Sequence, residues 1–298
     1  MTVYNQITNN KFRTVGLMLL FIVFFSFVFF SIGKYFGSSN SFLILGFLIS
    51  VISSLGSYFY SDKLVLLTTG AKPANKKDYF DFYTVAENIS IAAGLPMPKL
   101  YVINDPAPNA FATGRNPRHS VVVATTGLLS KLNRAELEGV VAHEMSHIKN
   151  YDILLSSVVA ILVGTLVLVS DWIMRSWWWG GFRSNDEGDN NNPLLLVVFI
   201  LSLVIAPIVA TLIQLAISRK REFLADASGV LITRYPEGLA EALETISTDS
   251  NQLRHVSGAN AHLFITNPFK NKKLTNRLAI LFSTHPPIEE RIKILRSI

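Results

Sequence analysis

Cysteine is absent from all 298 residues, which excludes disulfide scaffolds, thiol nucleophiles and cysteine-ligated zinc or iron–sulfur sites. Charge is scarce as well. Asp, Glu, Lys and Arg make up 16% of the chain, against roughly 25% in an average soluble domain. Apolar residues make up 50%, and the mean hydropathy is positive. The shortage of charge is local, because the apolar residues gather in long uncharged blocks. That excludes both an ordinary soluble domain and an intrinsically disordered chain. The length allows one or two domains with a sizeable core.

Four such blocks organise the chain. Twenty uncharged residues separate Arg13 from Lys34, 27 separate Lys34 from Asp62, 18 separate Asp152 from Asp171, and 29 separate Asp189 from Arg219. A membrane-spanning helix takes about 20 apolar residues at 1.5 Å rise each. The first and fourth blocks (the latter apolar over 193–218) meet that length. The second, apolar from Phe42 to Tyr58, and the third are shorter, so two readings stand for each: a spanning helix, or a buried or interfacial one. The first block is longer than the apolar region of a signal peptide and no small-residue cleavage pattern follows it, so it reads as a retained anchor. Gly46, Ser50 and Ser54 recur every four residues, with Ser53 and Ser57 beside them. Small residues at that spacing let helices approach closely in lipid, and blocks one and two are expected to pack as a hairpin.

If all four blocks span, the N-terminus, residues 59–152 and residues 219–298 share one side. That side carries 24 of the 27 Lys and Arg, with only Lys34, Arg175 and Arg183 opposite. The positive-inside rule then puts the large segments and both termini in the cytoplasm. The basic surplus becomes a matter of topology, and no nucleic-acid partner is expected, because the aromatics sit in the spans rather than among the basic residues. The opposite loop, 171–192, ends in an acidic, Asn-rich stretch expected to be solvated. Trp177, Trp178 and Trp179 fit an interfacial aromatic belt.

Residues 72–152 read as a small mixed unit. Helical periodicity runs over 76–93 and stops at Gly94 with Pro96 beyond. KLYVIND and HSVVVATT read as strands. Asn133, with Glu136 three residues on, marks a helix start. That helix, NRAELEGVVAHEMSHIKN, is expected to run on into the third span.

It carries H-E-x-x-H at His143, Glu144 and His147. Residues four apart on a helix share a face, with Cβ atoms about 5–6 Å apart, so two neutral imidazoles can bind one zinc ion. Glu144, next to His143, is then placed to act as base for the attacking water. Three fixed positions in five are weak evidence alone, since two polar residues on an exposed helix face would match equally. The apolar residues before them, Val140, Val141 and Ala142, put the helix in a core instead. A third ligand is offered by SRKREFLADASG, just past the fourth block. Two spans separate His147 from Glu222, so the chain returns to the same side and Glu222 can complete the site. Asp226, one turn on, can accept the second ring N–H of a ligating histidine. The competing reading for both is a solvated charged stretch at a span end.

Taken together, HEMSH followed by two spans and EFLAD, with NAFATG upstream and THPPIEERI at the end, resembles the HtpX-type integral-membrane zinc metalloproteases, relatives of the CAAX prenyl protease class. The resemblance covers nearly the whole chain. It implies a mainly α fold: a multi-span membrane protein with four predicted transmembrane helices and a cytoplasmic zincin-like α+β peptidase domain. It implies one zinc ion per chain held by His143, His147 and Glu222, with Glu144 as catalytic base. It also implies membrane-protein substrates in quality control and an active site facing the cytoplasm of the cell membrane.

The expected division is 1–60 as an N-terminal transmembrane hairpin, 61–152 as the first part of the peptidase domain, 153–218 as a second hairpin, and 219–298 as the remainder. Asn109, Ala110 and Phe111 open the NAFATG stretch, which reads either as an edge strand holding an extended peptide or as a core strand. His285 reads either as an oxyanion or supporting group or as a structural residue ahead of a Pro-capped helix. His119, His255 and His262 have no partner at ligand spacing. Rival readings are a maturation peptidase for one tethered partner, a scaffold that keeps zinc for stability, and a transporter. Glu144 disfavours the scaffold, and spans without interior charge disfavour the transporter.

Overall fold

The computed structural model describes residues 3–35, 37–178, 219–254, 261–266 and 286–298. Two long helices open the chain, α1 (Val3–Tyr35) and α2 (Ser39–Thr69). Both are long and apolar enough to cross a membrane, over Gln6–Lys34 and Ser39–Thr69. The short apolar core of the second block therefore sits inside a 31-residue helix, because α2 continues past a break at Tyr60 (φ −122°, ψ 15°). The boundary drawn at residue 60 falls on that break. The small-residue face is buried at Gly46, Ser50, Ser54 and Ser57. Gly46 is required there: a Cβ on it would stand 2.5 Å from Cβ of Phe29 on α1.

The third candidate span, Asp152–Asp171, lies in α6 (Asp152–Trp178). Leu155, Val158, Val159 and Leu162 of α6 pack into one cluster with Phe21, Phe25, Val28 and Phe29 of α1. The first eight residues of the loop placed at 171–192 are thus helical. The rest of that loop, the side chains of Trp177 and Trp178, Trp179 and the fourth block lie outside the described residues.

Between α2 and α6 lies a four-stranded sheet with its helices. The strands are β1 (Lys72–Pro73), β2 (Lys99–Ile103), β3 (Ala110–Asn116) and β4 (His119–Thr125). Their order is β1-β2-β4-β3, with β2 and β4 parallel and the other neighbours antiparallel. Helix α3 (Phe80–Ala93) stops at Gly94, which is left-handed at φ 67°. It starts later than the periodicity suggests, because the N–H groups of Asp78 and Tyr79 turn back onto the Asn75 carbonyl. After α4 (Thr126–Lys131), α5 (Arg134–Lys149) opens with a capping box: Asn133 accepts from the Glu136 N–H, and Glu136 accepts from the Asn133 N–H.

Beyond the second gap come α7 (Arg219–Thr233), α8 (Pro236–Thr248), a 3₁₀ turn at Ala261–Leu263 and α9 (Ile288–Leu295). One core joins both halves: Phe82, Val85 and Ile89 of α3, Leu100 and Val122 of the sheet, Val141 and Met145 of α5, and Leu239 and Leu243 of α8.

One expectation needs correction. Helix α5 does not run on into the third span. It ends at Lys149, Tyr151 adopts φ +60°, and α6 begins afresh at Asp152. A non-glycine residue in the left-handed region breaks the helical path, and this corner shapes the site.

Candidate metal centre

His143 and His147 project from α5 on successive turns, with ring centroids 4.7 Å apart and planes at 87°. Helix α7 crosses α5 so closely that a Cβ on Gly229 would lie 3.2 Å from the His143 amide nitrogen. That approach brings Glu222 to both imidazoles. The two Nε2 atoms are 3.2 Å apart, Glu222 Oε2 is 3.8 Å from Nε2 of His143, and Oε1 is 3.6 Å from Nε2 of His147. Among the described residues, these three form the group of ligand-type side chains close enough to hold a metal ion.

The donor set fits zinc. Zn–N and Zn–O bonds of about 2.0–2.2 Å in a tetrahedron put ligand atoms roughly 3.3–3.6 Å apart, and the spacings here lie close to that. The outer ring nitrogens are already committed. His147 Nδ1 lies 3.0 Å from Oδ2 of Asp152, and His143 Nδ1 lies 2.9 Å from Oδ1 of Asp226. Since a carboxylate only accepts, each Nδ1 carries the proton and each Nε2 offers its lone pair inward. At 3.2 Å the two Nε2 atoms share a proton while His147 is charged, and a metal ion can take that proton's place between them.

The flanking charges form two networks. On the His143 side, Arg291 of α9 donates from Nε to Asp226 Oδ2 (2.8 Å) and from Nη2 to Asp226 Oδ1 (2.6 Å). Its Nη1 donates to the Ile265 carbonyl (3.3 Å) and stands 3.7 Å from Glu222. On the His147 side, Asp152 also accepts from Asn10 of α1 and lies 3.8 Å from Arg221. Burial alone would raise Asp226, but the Arg291 guanidinium and the His143 hydrogen bond outweigh it and hold its carboxyl below the usual range. Burial lowers His143 against the pull of Asp226. For His147 burial also pulls downward, but the Asp152 hydrogen bond and the charges of Glu222 and Glu144 prevail and lift it to about 9.

Glu144 is 3% exposed. Burial raises its carboxyl to about 7, with Glu222 adding to the rise, while His147 and a hydrogen bond from the Ala112 N–H pull it back. A buried carboxylate raised to about 7, within electrostatic reach of His147 and Glu222, has the properties of a general base.

The other sequence candidates fall differently. Asn109, Ala110 and Phe111 lie at the terminal strand of the sheet, yet they are buried rather than open. Asn109 Nδ2 donates to the Thr266 carbonyl (3.2 Å), the Ala110 carbonyl accepts from the Ile265 N–H (2.9 Å), and Phe111 meets the edge of Phe264. His285 lies outside the described residues, as do His255 and the side chain of His262. His119 is exposed and bonded to Asn116. Asp152, Asn10 and Arg291 escaped the sequence reading. For Asp152 the available signal was a carboxylate shortly after His147, and for Arg291 a lone arginine facing inward from an otherwise amphipathic terminal helix.

Comparison with known proteins gives a consistent family. Residues 81–298 match the model described as Peptidase family M48. The chain is 43% identical over 298 residues to a protein named Protease HtpX homolog from Dictyoglomus turgidum, covering 99% of this chain and 94% of that one. It is 47% identical over 285 residues to a protein of the same name from Caldanaerobacter subterraneus subsp. tengcongensis, covering 94% and 93%. Among solved structures, the crystal structure of S. mikatae Ste24p matches with a TM-score of 0.49 at 18% identity, over 98% of this chain and 67% of that one.

Proposed function

The chain belongs to peptidase family M48, and on that premise we propose that it is a zinc endopeptidase of the cell membrane. It cuts cytoplasmic parts of membrane proteins, above all misfolded or damaged ones, as a step in protein quality control. His143, His147 and Glu222 hold one zinc ion per chain. Asp226 and Asp152 fix the two imidazoles in the tautomer that presents Nε2. Zinc held there supplies Lewis-acid polarisation of the scissile carbonyl and lowers the pKa of water.

Glu144 takes the proton of the attacking water and delivers it to the leaving amine. The Ala112 N–H, bonded to its carboxylate, keeps that carboxylate aimed while the proton moves. A substrate strand added along β3 would have to compete with Ile265 for the Ala110 carbonyl and with Glu144 for the Ala112 N–H. Blocks three and four act as a second membrane hairpin, with both termini and the peptidase parts 61–152 and 219–298 on the cytoplasmic side. The cleft then sits against the bilayer, where unfolded loops and ends of membrane proteins are within reach.

The observation that carries this reading is the trio of ligand atoms at tetrahedral spacing, with each imidazole backed by a carboxylate. The test is zinc content and proteolysis measured together on protein purified in detergent. A chelator should remove both and added zinc should restore both. Proteolysis that survives complete metal removal would overturn the reading. In proteoliposomes, a reporter whose unfolded loop lies on the peptidase side should be cut, and its inverted counterpart should be spared.

A further inference from the structure

We propose that Asn10, near the start of the first membrane helix, is a positioning residue for the metal centre: it fixes Asp152, and through Asp152 it fixes His147. The inference rests on the zinc reading above. Residues five apart on a continuous helix point about 140° away from each other, so Asp152 could not meet His147 if α5 simply continued. The chain turns instead at Tyr151, whose φ of +60° is a costly conformation for a tyrosine and persists only where the surroundings hold it.

Two consecutive residues of α1 do the holding. Asn10 Nδ2 donates to the Asn150 carbonyl at 3.0 Å and to Asp152 Oδ1 at 2.7 Å. Lys11 Nζ stands 4.4 Å from the centre of the Tyr151 ring, within cation–π range. The residue before the left-handed turn, the turn itself and the residue after it are thus each gripped from α1. The amide orientation is fixed by chemistry, since both partners only accept and so must face the two N–H groups of Nδ2. With Oδ1 of Asp152 held by Asn10, its Oδ2 receives His147 Nδ1 at 3.0 Å.

Asn10 is 3% exposed and 140 residues from Asn150 in sequence; Arg221 Nη1 stands farther from the same Asp152 oxygen, at 3.8 Å. The first span is part of the metal centre as well as a membrane anchor.

The experiment is a mutant cycle on the full-length protein in detergent, with zinc affinity measured by chelator competition and the cobalt-substituted absorption spectrum recorded alongside. Asn10→Ala should weaken zinc binding about 10-fold, the lower end of the range for groups behind a ligand, and should shift the cobalt bands. Asp152→Ala should cost at least as much. The two together should cost no more than Asp152→Ala alone, because both act through His147. An unchanged affinity in Asn10→Ala, or a loss that adds in full to that of Asp152→Ala, would overturn the proposal and leave Asn10 as a packing residue. If Asn10→Ala fails to assemble, Asn10→Ser carries the same cycle. A parent protein whose zinc binding is indifferent to His147→Ala would instead overturn the zinc reading, a separate outcome.

Discussion

Arg291 grips Asp226 through two parallel hydrogen bonds, Nε to Oδ2 at 2.8 Å and Nη2 to Oδ1 at 2.6 Å. The arginine has no exposed surface, and the same Asp226 holds His143. The C-terminal helix therefore closes a site whose candidate ligands come from α5 and α7. Its cation also offsets the negative charge of Asp226 and Glu222.

Removing that cation leaves buried carboxylates uncompensated. Arg291→Ala should lower stability by about 3–5 kcal/mol, the usual cost of breaking a buried pair from one side. Arg291→Lys should recover only part, because an ammonium cannot reproduce the fork on Asp226. Denaturant midpoints in detergent measure both. Midpoints equal to that of the parent would remove Arg291 from the supporting network.

For the base, Glu144→Gln should keep zinc, because the three ligands remain, while turnover falls by roughly 10²–10⁴-fold with the proton acceptor gone. Zinc stoichiometry and single-substrate kinetics on the same preparation separate the two effects. Near-normal turnover would reassign the base.

Three of the apolar helices and the grouping of His143, His147 and Glu222 were legible because each rests on a local pattern. Uncharged gaps mark the three helices long and apolar enough to span, H-E-x-x-H sets one helix face, and EFLAD supplies the Glu222 that the structure brings to both imidazoles. The family resemblance read from HEMSH and EFLAD agrees with the matched family. Asp152 was hidden because five residues is the wrong period for a shared helix face, and only the left-handed Tyr151 turns it toward His147. Arg291 lies 65 residues from Asp226, a pairing no local pattern encodes. The full length of α2 was hidden because its last turns, beyond Tyr60, carry Asp62 and Lys63 and so end the uncharged run.

Proton competition should be measurable at the site. His147 is raised to about 9, so near pH 8 it holds a proton that zinc must displace, whereas His143 is lowered and gives up none. Zinc binding near pH 8 should release about one proton, and affinity should climb with pH until it levels above about 9. Calorimetry in buffers of different ionisation enthalpy reads the proton count. A count near zero at pH 8 would mean that His147 is already neutral.

The α1–α2 contact makes a sharper mutational contrast. Gly46→Leu drives a side chain into Phe29, 2.5 Å from the Cβ position, and should cost about 1–3 kcal/mol by overpacking. Gly56 lies on the same helix with nothing within 4 Å of its Cβ position, so Gly56→Leu should be near neutral. Phe29→Ala should rescue part of the loss in Gly46→Leu and none in Gly56→Leu. Equal losses at both glycines would mean that the contact with Phe29 does not set the cost, since leucine is the better helix former at either position.

The fourth span is an expectation from the sequence, and the cysteine-free background allows a clean test of it. Glu222 reaches His147 from α7, so residues 153–218 must leave the peptidase side and return, or never leave it. If blocks three and four both span, a cysteine at Asn190 should react with an impermeant thiol reagent applied outside intact cells. Cysteines at Asn75 and Thr248, both exposed on the peptidase part, should stay protected until the membrane is opened. The positive-inside count favours this outcome, since basic residues crowd the span ends on one side. Protection at Asn190 together with protection at Thr248 would make the two blocks an interfacial hairpin. That would leave two spans, α1 and α2, and put the first helix's N-terminus on the opposite side from the second's C-terminal end only if α2 failed to cross; labelling at Asn75 decides that point, because it lies directly beyond α2.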